Sequence, residues 1–245
     1  MVYSSDMYSD IGKRTENEDS VALTFRGTAL VAVMCDGLGG QGDGKIASSL
    51  VCEELVKRSP MHAVPDEDEL AGIFGQANTE LMKVQKNAFH RKTTAVYLCL
   101  CGNDAIWAHA GDTRLYHLYN GALCHYTLDH SAAQMSVKLG LIKREDIPTD
   151  LNRNRLLCVM GDADSEPEIA GPMRLAPGKH LFLLCTDGLW EYLTDRDIER
   201  AAADAADAKA FLSRLKDLRD RRSREFCDNH SAIAVIWEVK EEIAK

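Results

Sequence analysis

The chain has 245 residues, 45% of them hydrophobic and 27% charged, which is enough apolar surface for a sizeable core and excludes wholesale disorder. A formal net charge of −9 argues against nonspecific binding to nucleic acid or to an anionic membrane. No apolar run reaches the roughly 18–20 residues that span a bilayer, and the start MVYSSDMYSD lacks the basic and apolar regions of a secretory signal.

In chain order, residues 20–25 and 28–35 read as two strands around the turn Arg26-Gly27. The second, ALVAVMC, is apolar on both faces and is expected to be central. The Gly-rich stretch DGLGGQGDG follows, then a helix from about Lys45 with an apolar stripe of Ile46, Ala47, Leu50, Val51 and Leu55. A second helix is expected near 69–85, buried through Leu70, Ile73, Phe74, Ala77, Leu81 and Val84. Residues 93–127 read as a β-meander, its segments TTAVYLCL, AIWAHA, RLYHLY and ALCHYT separated by turn residues. Residues 129–160 have no clear pattern. LFLLC at 181–185 is another fully apolar strand, helices are expected near 195–204 and 207–222, and SAIAVIWEV closes the chain. The order is α+β, with largely antiparallel sheets and helices outside, and neither a linker nor a repeat divides it.

Eight cysteines occur without a CxxC pair, and Cys35, Cys99 and Cys185 sit inside apolar runs. Reduced, buried thiols fit that placement, and a cytoplasmic setting is expected. Cys99 and Cys101 share one strand face and read as packing residues, not as a metal site.

An internal echo carries the most chemistry. VAVMCDGLGG at 31–40 and LFLLCTDGLW at 181–190 each end an apolar strand in Asp-Gly-Leu. A carboxylate at the tip of a buried strand is costly unless it is paired, hydrogen-bonded or bound to a cation. Asp112 in AHAGDTRLY, Asp228 in CDNHSAIAV, and Glu18 and Asp19 in RTENEDS occupy similar strand ends. Each alone reads equally as a turn or cap residue. Gathered at one rim they would repel one another strongly, so convergence requires cations, and oxygen-only ligands select hard ions such as Mg²⁺ or Mn²⁺. Arg14, four residues before Glu18, suits a bidentate grip on phosphate.

The ordered set RTENED, CDGLGG, TTAVYL, AGDTRLY, LDHS, CTDGLWEYLTD and DNHSAIAV resembles the motifs of the metal-dependent serine/threonine protein phosphatases, the PPM or type 2C family, in its compact bacterial form. The resemblance runs from about residue 10 to 237 and implies one catalytic domain over 1–245, a four-layer α-β-β-α sandwich with two mainly antiparallel sheets flanked by helices. It further implies a bridging role for Asp36 between two divalent cations, with the Gly37 carbonyl on the first and Asp187 and Asp228 on the second. Asp19 would act through metal-bound water with Glu18 in support, Asp112 with Asp187 would form a weaker third position, and Arg14 would bind the substrate phosphate. Two ions ~3.5–4 Å apart can activate a shared water for direct in-line attack. The implied substrates are phosphoserine and phosphothreonine in proteins modified by a serine/threonine kinase. The cysteine-phosphatase loop CxxxxxR is absent.

Three features depart from the family pattern or vary within it. Gln41 stands where some members carry a histidine proposed as general acid, so the proton donor is unassigned, and none of the eight histidines is given a catalytic role. Lys92 replaces a common glycine. The variable flap, at about 130–152, carries Lys138, Lys143 and Arg144, which read either as a solvated face or as a docking surface for phosphorylated protein. A pseudophosphatase of the same fold and a small-molecule phosphomonoesterase are the competing readings.

Overall fold

In the computed structural model the described residues are 2–39, 43–85, 91–223 and 227–240. Gln41 lies outside them. The first sheet contains β1 (Val2–Asp10), β7 (Arg114–Tyr119), β8 (Ala122–Tyr126), β10 (Gly178–Cys185) and β11 (His230–Val239), in the order β1-β11-β10-β7-β8. The second contains β2 (Asp19–Arg26), β3 (Ala29–Leu38), β5 (Ala95–Cys101), β6 (Asp104–Ala110) and β9 (Glu168–Arg174), in the order β2-β3-β5-β6-β9, with the short β4 (Lys92–Thr93) beside the end of β3. Every pairing is antiparallel.

Alternation along the central strands builds three apolar layers. In β3, Leu30, Ala32 and Met34 face the other sheet, while Val31, Val33 and Cys35 face α1 (Asp43–Arg58) and α2 (Glu67–Val84). In β10, Phe182 and Leu184 point between the sheets, while Leu181, Leu183 and Cys185 meet α5 (Asp195–Ala203) and α6 (Ala208–Arg222). The α-β-β-α order expected from the resemblance is therefore present, and the doubly apolar strands are central because both their faces are covered.

Three expectations change. Residues 93–127 are not one meander: β5 and β6 belong to the second sheet, β7 and β8 to the first, and the chain changes sheet at Gly111-Asp112-Thr113. That switch carries Asp112 out of an ordinary hairpin turn and to the rim between the sheets. The edge strands β1 and β9 carry no apolar run to announce them; the side chains described in β1 from Ser4 on and in β9 are half-buried or exposed, as edge strands allow. The unpatterned stretch after Asp129 forms α3 (Ala132–Lys138) and a 3-10 turn at Arg144–Thr149.

Lys92 pairs with Asp162 and its backbone registers with Leu38, which gives this departure a structural role at the start of β4. In the flap, Arg144 pairs with Asp195 and covers the Tyr126 ring at 3.5 Å, so it ties the excursion to α5 and the first sheet. Lys143 stays exposed, 3.6 Å from Glu145.

Candidate metal centre

The register of the two sheets assembles the site. Asp19 opens β2 directly opposite Asp36 near the end of β3. Across the sandwich, Cys185 at the end of β10 faces Ala232 near the start of β11, so Asp187 and Asp228 emerge just beyond the same edge. Asp187 begins the one-turn helix α4 (Asp187–Trp190), and the indole Nε1 of Trp190 donates to the Asp112 carbonyl at 2.9 Å. One cavity of about 390 Å³ is lined by Arg14, Glu18, Asp36, Gly37, Asp112, Asp187 and Asp228, among others. Seven of the eight residues singled out in the sequence thus share one wall. The eighth, Asp19, is 2% exposed and sits behind it.

Electrostatics set the character of this cavity. Burial pushes the Asp36 carboxyl well above the ordinary carboxylate range, and Asp19, Asp187, Asp112 and Asp228 push it further. Asp187 is raised for the same reasons, burial first, then Asp112, Glu191, Asp228 and Asp19. Burial lifts Asp112 to about 7 and Asp19 to about 6, although hydrogen bonds from Ser231 (2.6 Å) and Thr186 (3.1 Å) to Asp19 Oδ2 work against that rise. Glu18 is raised as well, chiefly by burial. Asp19 Oδ1 and Glu18 Oε1 are buried without a hydrogen-bond partner. Unpaired buried oxygens on mutually repelling carboxyls are what a cation of matching hardness would satisfy. The all-oxygen donor set therefore fits Mg²⁺ or Mn²⁺.

The surrounding side chains fix the oxygens in place. The Asp36 amide donates to the Thr94 hydroxyl at 2.9 Å, and the Thr93 hydroxyl donates to the Asp36 carbonyl at 2.8 Å. Lys45 donates to the Asp19 carbonyl at 2.6 Å. Gly37 is required by close approach: a Cβ there would stand 2.2 Å from the Gly44 carbonyl oxygen. Asn229 accepts from the Glu18 amide at 2.9 Å and donates to the carbonyls of Ile11 and Glu16, both at 2.9 Å, which pins the loop that carries Arg14.

Arg14 is exposed but engaged. Its Nε and Nη2 donate to Asp228 Oδ1 and Oδ2 at 2.9 and 2.6 Å. The expected phosphate ligand and an expected cation ligand hold each other. An adjoining cleft of about 540 Å³ continues from Arg14 and Asp187 past Lys13, Arg153, Asn154 and Tyr192.

Residue-type reasoning missed the support around these carboxyls. Thr186 and Asn229 each adjoin a motif aspartate and Ser231 lies three residues after Asp228, so proximity in sequence was the available signal. Asp129, present in the LDHS motif, forms a buried fork with Arg114 at 2.6 and 2.7 Å, and Arg114 stacks 3.5 Å over Trp190. This pair packs directly behind Asp112.

No protein-family model matches the chain. A curated relative from Streptococcus pyogenes, a putative protein phosphatase 2C-type, is 30% identical over 203 residues, covering 78% of this chain and 80% of the relative. The serine/threonine protein phosphatase PstP of Mycobacterium tuberculosis is 30% identical over 199 residues, 77% of this chain, but the match spans only 36% of PstP. A solved structure, the catalytic domain of PstP in complex with two manganese ions, superposes with a TM-score of 0.81 at 26% identity over 96% of this chain and 98% of that one.

Proposed function

The chain belongs to the PPM, or protein phosphatase 2C-type, family of serine/threonine phosphatases, and we propose that it hydrolyses phosphoserine and phosphothreonine in proteins with the aid of two divalent cations, Mg²⁺ or Mn²⁺. The observation that carries this reading is the single cavity in which Asp36, Asp112, Asp187 and Asp228 converge with Glu18 and Arg14. Because the chain spans about a third of the length of PstP, whatever else that protein does is not transferred.

Asp36 would serve both cations, Asp187 and Asp228 would complete the pair with the Gly37 carbonyl, and Asp112 would contribute to a weaker third position. Asp19, fixed by Ser231 and Thr186, would orient water at the first cation, with Glu18 beside it. The cations supply Lewis-acid polarisation of the phosphoryl group and a water activated near neutral pH. Arg14, once released from Asp228, presents a planar fork to two phosphoryl oxygens and holds the group in line for attack. The cleft past Lys13, Arg153 and Asn154 leaves room for residues flanking the phosphorylated one, which favours a peptide over a small phosphomonoester. The chain is read as one catalytic domain acting in the cytoplasm, a compartment supported by its unpaired, buried Cys35, Cys52, Cys99, Cys185 and Cys227. Among the described residues no helix is long and apolar enough to cross a membrane.

The test compares turnover of a phosphothreonine peptide and of p-nitrophenyl phosphate with Mn²⁺. Cation-dependent turnover that favours the peptide and disappears with EDTA is expected. Turnover that persists in EDTA, or in Asp187→Asn, would overturn the two-cation mechanism. A protein that binds no Mn²⁺ by calorimetry would be a pseudophosphatase instead.

A further inference from the structure

On the far side of the Asp112 turn, a second cluster has different chemistry. His109 ends β6 next to Ala110, and its cross-strand partner in β9 is Glu168. The His130 ring stacks on His109 with centroids 4.4 Å apart, and His130 Nε2 lies 3.5 Å from Glu168 Oε2. One ligand-type atom from each of the three residues falls within 4.8 Å of the others. The Cys158 thiol donates to the Glu166 carbonyl at 3.2 Å and lies outside this group.

The geometry points to a transition-metal centre, of the kind that takes Zn²⁺, held by His109, His130 and Glu168. Two imidazoles and one carboxylate, with water in the remaining position, form a borderline donor set that suits a tetrahedral ion and differs in kind from the hard oxygen cavity. His109 is oriented for this role: its Nε2 bonds the Leu128 carbonyl at 2.7 Å, which leaves Nδ1 with the free lone pair. An imidazole fixed by its other nitrogen on a backbone carbonyl is the usual support of a metal-bound histidine. His109 is also 2% exposed, so its ring is held in one place by the surrounding core.

Placement gives the centre a consequence. His130 and Cys158 stand at the two ends of the excursion 131–157, whose root is closed by Leu157 N–H to the His130 carbonyl at 2.7 Å and by a bridge between Ser131 and Leu156. That excursion supplies Asn154 and Leu156 to the acidic cavity and Pro148, Thr149 and Arg153 to the adjoining cleft. His130 also bonds the Gly111 carbonyl through its amide at 2.9 Å, one residue from Asp112. An ion here would clamp the flap root to the sheet rim and stiffen one wall of the catalytic cleft.

The test uses the full chain, stripped with chelator, then titrated with Co²⁺ as a spectroscopic substitute for Zn²⁺ while excess Mg²⁺ occupies the oxygen cavity. One equivalent with the intense visible bands of tetrahedral cobalt is expected. Glu168→Gln, an exposed and foldable change, should weaken binding by ~10–100-fold. Only the weak bands of octahedral oxygen coordination, or binding unchanged in both Glu168→Gln and His130→Ala, would overturn the centre. Mg²⁺-dependent turnover is measured separately and does not depend on this outcome, so failure here leaves the phosphatase reading standing.

Discussion

Arg14 forks onto Asp228 through two hydrogen bonds of 2.9 and 2.6 Å, so the group proposed to bind phosphate occupies a group proposed to bind a cation. The turn before it makes this possible: Gly12 adopts φ +60°, and a Cβ there would lie 2.2 Å from the Asp228 carbonyl oxygen. Cation binding and substrate binding both require the pair to part. Arg14→Ala is therefore expected to act in opposite directions on the two ligands. Exposed pairs of this kind contribute about 1 kcal/mol or less, so Mn²⁺ should bind up to ~5-fold more tightly. Loss of the phosphate fork should lower kcat/KM by ~10²-fold or more. Calorimetry and peptide turnover on the same variant check both, and a parallel loss of the two would contradict the competition.

The buried carboxyls trade stability for chemistry. Asp187 is raised by burial and by four acidic neighbours, so the cation-free protein is strained at this point. Asp187→Asn should raise the melting temperature in EDTA, by ~2–4 °C for each ~1 kcal/mol of relieved repulsion in a chain of this size. The same variant should lose ~10²–10³-fold or more of its Mn²⁺-dependent turnover. A thermal scan in EDTA that shows a lower melting temperature would contradict this account of the cavity.

The Arg114–Asp129 fork behaves differently because its two charges satisfy each other, and both residues are buried. Removing one partner leaves an uncompensated buried charge, a loss of about 3–5 kcal/mol. Asp129→Ala should therefore destabilise the protein by that amount in denaturant unfolding. It should also loosen the Asp112 turn, since Arg114 stacks on the Trp190 ring that holds the Asp112 carbonyl. Replacing both by apolar residues of similar volume should recover much of the stability, which separates the buried charge from the packing.

The central strands and the Asp-Gly-Leu endings were legible because a doubly apolar run that stops in a carboxylate has few structural outcomes. That pattern made a shared rim for Asp36 and Asp187 one of two open readings, and the ordered motifs that resemble the family favoured it. The sheet switch at Gly111 was not legible, since a Gly-Asp-Thr turn between two apolar strands looks the same in a hairpin as in a crossover. The β1 and β9 strands were missed because edge strands half-exposed to water carry little hydrophobic pattern. Nor could spacing show that Arg14 meets Asp228, 214 residues away, or that His109 stacks on His130. Those contacts exist only through strand order.

The protons held by the cavity set the pH dependence of cation binding. In the cation-free protein Asp19 titrates at about 6 and Asp112 at about 7, against an ordinary value of 3.8 for each. Both are raised, so the folded state binds protons that the unfolded chain has already released. The stability these groups contribute is fully present below pH 3.8 and is lost as pH rises through 6 and 7. A cation must displace the same protons, so its affinity should climb across that window and level off above it. Calorimetric titration with Mn²⁺ from about pH 5.5 to about pH 8 should show tighter binding at each step, with proton release largest at the acid end. Ser231→Ala removes a hydrogen bond that holds Asp19 down, so it should raise the Asp19 value and move the rise in affinity to higher pH. An affinity that is flat with pH, or a Ser231→Ala profile displaced toward acid, would contradict the proposed role of Asp19.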